Sequence, residues 1–281
     1  MPPTSAIWTG TKSSRRAGRR SETSGIRQAS AAASRMARPL CAGSRHPSEA
    51  RPSPAIALSG SENPTMTSLA DQLATCNTPG LFDVLRSHGL PVRELPREIR
   101  GLSPAMKLAG PVFTVTGRSD PTISVAESLE LFISRVLSGA PAGHVVVCQP
   151  HDHARSAMGD LAAEALKQRG IRGYYIDGGS RDADEIESIG FPVFARYTSP
   201  IDIVGSWRLE ATNVPVVIGG VTISPGDYVL GDRDGTLLIE REHAGFVITE
   251  TVKTMSTDSR MRTAIRGGRD PYDAFLEFGK L

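Results

Sequence analysis

The sequence predicts an α/β domain, and three observations carry that prediction. A buried apolar run at 144–148, a helical stretch from about 159 and a second apolar run at 173–176 make a βαβ unit. Helical and strand patterns alternate along the chain from about 68 to 195. Beyond 214 the character changes to short strands broken by Gly219-Gly220, Pro225-Gly226-Asp227 and Asp234-Gly235, the signature of an antiparallel meander.

Each element has a local reason. Residues 68–74 pattern as a helix. Thr78-Pro79 reads as an N-cap followed by Pro at the first helical position, with Gly89 closing that helix. Residues 111–116 alternate apolar and polar and read as a strand. Ser124-Val125-Ala126-Glu127 is a capping-box pattern, and Leu129, Phe132, Ile133, Val136 and Leu137 repeat behind it at helical spacing. Residues 161–168 form the crossover helix, and Gly170 stands where a left-handed C-cap belongs. A short helix at 184–188 is stopped by Gly190, a strand follows at 192–195, and residues 241–265 read as a terminal helix.

The two ends of the chain differ in charge. Residues 1–65 hold ten Lys and Arg against three acids, whereas residues 66–281 hold 22 basic against 27 acidic residues. The folded part is therefore mildly acidic, which argues against nucleic acid as a partner. Residues 1–65 are rich in Ser, Ala, Pro and Arg without apolar periodicity, so a disordered basic extension is expected there, with the domain spanning 66–281 and Met66 as its natural first residue. An upstream start, an organellar transit peptide and a basic tethering arm all suit that composition. No run approaches 18 consecutive apolar residues, so no membrane span is expected. Cys41, Cys76 and Cys148 are scattered without metal-ligand spacing, which suits free thiols in a reducing, cytoplasmic compartment. Cys148 ends an apolar run and reads as a packed strand residue.

The βαβ unit locates a candidate site. Its parallel strands bring their carboxyl ends, and the start of the crossover helix, to one edge of the sheet, where small ligands bind in open α/β sheets. The helix start, Gly159-Asp160-Leu161-Ala162, offers backbone N–H groups and a positive dipole end to a carboxylate. The turn after the second strand reads Ile176-Asp177-Gly178-Gly179-Ser180-Arg181-Asp182. A guanidinium there can grip a carboxylate in a two-point fork, and the adjacent carboxylate can hold a hard divalent cation. Residues 159–162 and Arg181-Asp182 are expected to face one another across one pocket, a site for a metal and a small oxo-acid.

Plainer roles suit the same residues. Arg181-Asp182 also fits a surface turn in which Asp182 caps the next helix. Asp160 also fits a simple complement to the helix dipole. Asp227, Asp232 and Asp234 sit in turns, where Asp is common. His151-Asp152-His153 resembles a metal pair, but an adjacent third ligand is not obvious. Gly178-Gly179 is not a dinucleotide fingerprint, and neither a Walker loop nor a G-x-S-x-G elbow is present.

Taken together and in order, several motifs resemble the RraA-like family. They are Gly159-Asp160-Leu161-Ala162, the 176–182 run, Gly190-Phe191-Pro192-Val193-Phe194-Ala195-Arg196, Asn213-Val214-Pro215-Val216, Gly219-Gly220-Val221 and the stretch 225–235. The family includes 4-hydroxy-4-methyl-2-oxoglutarate aldolases and the regulator of ribonuclease activity A. The resemblance implies a single-domain β/β/α sandwich of the swivelling, phosphohistidine-domain-like kind. It implies a homotrimer or homohexamer with sites at subunit interfaces. It also implies a metal-dependent retro-aldol cleavage of a 4-hydroxy-2-oxo diacid that releases pyruvate, with oxaloacetate decarboxylation as a side activity. In that scheme Asp182 coordinates Mg²⁺ or Mn²⁺, and Asp160 orients a water on the ion. Arg181 and the backbone of Gly159, Asp160, Leu161 and Ala162 grip the pyruvate-like end of a small 2-oxo acid. A late Glu of the neighbouring subunit assists proton transfer in the aldolases. Asp258 falls nearest to that position and is one methylene shorter. The loop from Gln149 to Arg155 departs from the family's glycine-rich form, which points to His153 or Arg155 as contacts for the substrate tail. The alternative under the same resemblance is a non-catalytic regulator that binds a ribonuclease or another protein. The intact Arg181-Asp182 pair favours the enzyme.

Overall fold

The computed structural model describes residues 68–279. The basic extension expected at 1–65 lies outside them. Two short helices, α1 (Leu69–Thr75) and α2 (Thr78–Ser87), lead to strands β1 (Arg93–Glu94), β2 (Arg100–Gly101) and the long β3 (Leu108–Ser119). Helix α3 (Val125–Phe132) passes directly into a π-helical turn (Ile133–Leu137). There follow β4 (Val145–Gln149), α4 (Asp160–Gln168), β5 (Gly173–Ile176), β6 (Gly179–Ser180), α5 (Ala183–Ile189), β7 (Val193–Ala195) and β8 (Tyr197–Thr198). The chain ends with β9 (Trp207–Thr212), β10 (Val216–Ile218), β11 (Val221–Ile223), β12 (Tyr228–Gly231), β13 (Thr236–Ile239), α6 (Arg241–Arg266) and α7 (Pro271–Phe278).

Strands β3, β4, β5 and β7 form a parallel core, as the alternating pattern requires. Antiparallel β12, β13 and β1 extend it on the β3 side, and β2 closes the other edge. The core strands are buried on both faces. In β4, Val146 and Cys148 join the cluster beneath the helices with Val136, Leu166 and Ile186. Val145 and Val147 join the opposite cluster with Val216, Ile218 and Ile223 of the β10–β11 hairpin. Each such side chain contributes about 1.5–3 kcal/mol on burial. A third cluster sets α1, α2 and α6 against β12 and β13.

Three local expectations are corrected. Asn77, not Thr78, caps α2, accepting the Gly80 N–H at 2.8 Å. Thr78 is drawn away because its N–H and hydroxyl both donate to Asp232, at 2.8 and 2.7 Å. The expected meander is two separate hairpins: β10 pairs β11 alone, while β12 turns to β3 and β13. The apolar stripe of α3 is only partly interior. Val136 is buried, whereas Leu129 and Ile133 are 38% and 48% exposed.

Strand β9 alternates apolar Trp207, Leu209 and Ala211 with polar Arg208, Glu210 and Thr212, and it pairs antiparallel with the far half of β3. The two strands meet so closely at Gly117 that a Cβ there would lie 2.2 Å from the Trp207 ring and 2.4 Å from the Arg208 carbonyl oxygen. Gly117→Ala is expected to force the strands apart and to destabilise the domain by about 1–3 kcal/mol, seen as a lowered melting temperature. An unchanged melting temperature would contradict that packing.

Candidate active site

Three segments converge beyond the carboxyl ends of β4 and β5. The buried stretch Ser156, Ala157 and Met158 is threaded between the other two by backbone bonds. Ala157 N–H donates to Gly179 at 3.0 Å, Arg181 N–H to Met158 at 2.9 Å, Ser156 N–H to Ile201 at 2.8 Å and Ile203 N–H to Ser156 at 3.2 Å. These bonds fix the start of α4 against the Arg181-Asp182 turn on one side and Asp202 on the other. Gly178 and Gly179 serve this weave, since a Cβ on Gly179 would meet the Tyr197 ring at 2.5 Å and the Arg155 carbonyl at 2.8 Å.

Asp182 precedes α5 in the N-cap position but makes no capping bond to that helix. Its backbone is left-handed, at φ 56° and ψ 44°, a conformation that costs a residue with a Cβ and recurs at functional sites. The side chain turns back to α4, where Oδ2 accepts the Asp160 N–H at 3.3 Å and lies 3.2 Å from Arg181 Nε. Gly159 permits this approach: a Cβ there would lie 2.7 Å from Asp182 Oδ2 and 3.1 Å from Arg181 Nε. The Asp182 side chain keeps a third of its surface exposed, so solvent and a ligand have access.

Arg181 is held on two sides. Nη1 donates to Asp202 Oδ2 at 2.8 Å, and Asp202 Oδ1 in turn accepts the Val204 N–H at 3.1 Å. Asp202 was not legible as a site residue, since its approach depends on the 199–203 segment folding back over Ser156. Among the described residues, Nη2 of Arg181 has no acceptor. The first N–H groups of α4 are less free than the sequence suggests. Asp160 N–H points to Asp182, and Leu161 N–H donates to Asp160's own Oδ1 at 2.7 Å. A cavity of about 280 Å³ opens here, lined by Gly159, Asp160, Leu161, Ala162, Arg181 and Asp202 together with Leu129, Phe132, Ile133 and Leu137; Asp182, expected to face it, is not among the lining residues.

The donor set suits a hard cation. Asp182 offers a carboxylate oxygen beyond Oδ2, close to the residue that opens α4, Asp160, whose N–H meets that Oδ2. Mg²⁺ favours one or two carboxylates together with waters and ligand oxygens. A denser cluster, Glu240, Glu242 and His243, has its potential ligand atoms within 4.8 Å of one another. There Glu240 is already engaged by Arg93 Nε at 2.7 Å.

The other sequence candidates take structural roles. Asp152 is buried and accepts from Ser119 Oγ, Arg155 Nη1 and the N–H groups of Ala154 and Arg155, at 2.8–3.1 Å. Burial works to raise its carboxyl, but those bonds together hold it below its ordinary value. His151 and His153 are exposed, and neither His153 nor Arg155 lines the cavity. Arg155 is spent on Asp152, so neither forms the expected tail contact within one chain. Asp227 accepts the Ser224 and Arg241 N–H groups, and Asp232 anchors Thr78. Burial pushes the Cys148 thiol up to about 12, which leaves it inert. Asp258 lies on α6, but its side chain is outside the described residues.

The site and the sheet order it stands on define a class known from other proteins. A family profile described as Aldolase/RraA matches residues 78–238. The chain belongs to the RraA-like family. It is 28% identical over 206 residues to a Halalkalibacterium halodurans protein named "Putative 4-hydroxy-4-methyl-2-oxoglutarate aldolase", covering 73% of this chain and 92% of that one. It is 30% identical over 211 residues to Protein DlpA of Legionella pneumophila, covering 74% of this chain and 33% of DlpA. The chain thus spans about a third of DlpA's length. An uncharacterized protein from Pseudomonas syringae pv. tomato superposes with a TM-score of 0.63 at 27% identity, covering 73% of this chain and 96% of that one.

Gly159→Ala is expected to drive the Asp182 carboxylate off the Asp160 N–H while moving the melting temperature by no more than about 4 °C. A crystal structure of the variant with that carboxylate unmoved would contradict this account of Gly159.

Proposed function

We propose that the protein is a divalent-metal-dependent lyase that cleaves a 4-hydroxy-2-oxo acid by a retro-aldol reaction and releases pyruvate. One observation carries the reading: Asp182 stands where a helix cap belongs, in a strained backbone conformation, and spends its carboxylate on the start of α4 beside Arg181 instead. The name of the Halalkalibacterium halodurans relative supports the reaction class. The helices, sheet and hairpin, stacked in that order, support a β/β/α sandwich of the swivelling kind.

The side chains divide the work. Mg²⁺ or Mn²⁺ would be held by Asp182 with Asp160 beside it, and when bound supplies Lewis-acid stabilisation of charge developing on the substrate's keto oxygen. Arg181, through Nη2, and the Ala162 N–H, the first-turn group of α4 left without an acceptor among the described residues, bind the carboxylate of the pyruvate end. Asp202 keeps the guanidinium turned to that task. Asp160 is the base for the C4 hydroxyl proton, directly or through one water. The apolar side chains of Leu129, Phe132 and Ile133, which line the same cavity, lower its polarity and strengthen these electrostatic interactions. The proton returned to C3 is assigned to Asp258 of a neighbouring copy in a homotrimer or homohexamer. The buried thiols of Cys76 and Cys148 agree with a cytoplasmic setting.

Oxaloacetate tests the enolate-forming half of the chemistry, because its decarboxylation yields the same pyruvate enolate. With Mg²⁺, pyruvate release is expected in a lactate-dehydrogenase-coupled assay. Chelator is expected to abolish it, and Asp182→Ala to lower kcat/KM at least ~100-fold, about 2.7 kcal/mol. Activity that persists in chelator, or in Asp182→Ala, would contradict the lyase reading.

A further inference from the structure

Two groups of large apolar side chains are left in water. The first borders the candidate site. Leu129 and Ile133 of the α3 segment and Leu161 of α4 line the cavity, and Leu161 is 77% exposed in the first turn of α4. Val125, one helical turn before Leu129, is exposed as well. The second group lies at the carboxyl end of the chain. Helix α7 packs on α6 and buries Ala274 alone. Its Tyr272, Phe275 and Leu276 are exposed. Their spacing puts them on one helix face, where the rings of Tyr272 and Phe275 stack at 6.5 Å. Scattered exposed apolar residues are ordinary, but contiguous ones mark surfaces made for a partner.

Charge indicates what covers them. Acids flank the first group. Exposed Glu130 stands three residues before Ile133, and exposed Glu164 three after Leu161, spacings that share a helix face. Cations flank the second group. Arg262 and Arg266, one turn apart near the end of α6, are both exposed. Each group also has one charge of the other sign close by in sequence, Arg135 for the first and Asp273 for the second, which suits one further pair. The two surfaces are thus complementary in apolar content and in charge, and a second copy of the chain supplies the match to each.

We propose that the apolar face of α7 on one copy seats on Val125, Leu129, Ile133 and Leu161 of the next, with Arg262 and Arg266 set against Glu130 and Glu164. The two surfaces differ, so the contact is head-to-tail. Every copy then offers one surface of each kind, and a ring forms if the rotation closes. Helix α7 lies beyond residues 78–238, the stretch that the family profile matches, so this contact is not part of the matched domain. It goes beyond the lyase reading, since it gives the cavity a cover from a second copy whatever reaction takes place there. It also draws the part of α6 that holds Asp258 toward the neighbouring site.

The test is sedimentation of the full chain. Ile133→Glu spoils the first surface and Leu276→Glu the second, and both positions are exposed enough to carry a charge in a folded chain. Leu129→Glu and Tyr272→Glu replace them where a melting curve shows that either has not folded. The wild type is expected to sediment as a closed oligomer, and each variant as a smaller species. An equal mixture of the two variants is expected to form a species larger than either alone. Mixing restores one intact contact, between α7 of the Ile133→Glu chain and the cavity surface of the Leu276→Glu chain. A monomeric wild type, folded variants that keep the wild-type mass, or a mixture no larger than its components overturns the proposal. Pyruvate release by the wild type decides the lyase reading separately.

Discussion

The site depends on one short-range contact, the Asp182 carboxylate held against the first turn of α4. The contact needs a backbone that turns left-handed at a residue with a Cβ, and a neighbour at 159 without one. It also needs the two segments locked in register, which the backbone bonds through Ala157 and Arg181 achieve. The parallel order β4–β5 beneath then follows as the frame that delivers both segments to the same edge. Strain at Asp182 is sustained because the surrounding hydrogen bonds leave the turn little alternative.

Much of this was legible. Apolar runs at 144–148 and 173–176 with a helix between them require a βαβ unit, and its geometry brings Gly159 and Arg181 together although they are far apart in sequence. Gly170 and Gly190 closed their helices as read, both with positive φ. What stayed hidden depended on partners distant in the chain. Thr78 lost the cap role to Asn77 because Asp232, across the sheet, supplied a stronger set of bonds. Strand β9 carries a strand alternation of its own, but its partner, the far half of β3, and the clearance at Gly117 that the pairing needs lie far off in the chain. Asp202 gave no local signal, since only the fold-back onto Ser156 brings it to Arg181.

The same reasoning explains which charged residues are spent and which are available. Asp152, Asp227 and Asp232 each accept two or more bonds from nearby N–H or hydroxyl groups, which fixes loops and leaves them no free acceptor geometry for a ligand. Asp182 is met by the Asp160 N–H and Arg181 Nε, and Asp160 by the Leu161 N–H, and both keep access to solvent. The left-handed backbone at Asp182, which turns its carboxylate away from its own helix to the start of α4, separates this edge of the sheet from the Glu240–Glu242–His243 cluster at the start of α6.

The most direct measurement is Mn²⁺ binding followed by electron paramagnetic resonance on the wild-type chain, on Asp182→Asn and on Glu242→Gln. Asn suits the left-handed backbone, so Asp182→Asn removes the charge and leaves the turn in place. The account predicts that Asp182→Asn loses the bound ion while Glu242→Gln retains it at wild-type affinity. Undiminished Mn²⁺ binding by Asp182→Asn would contradict it.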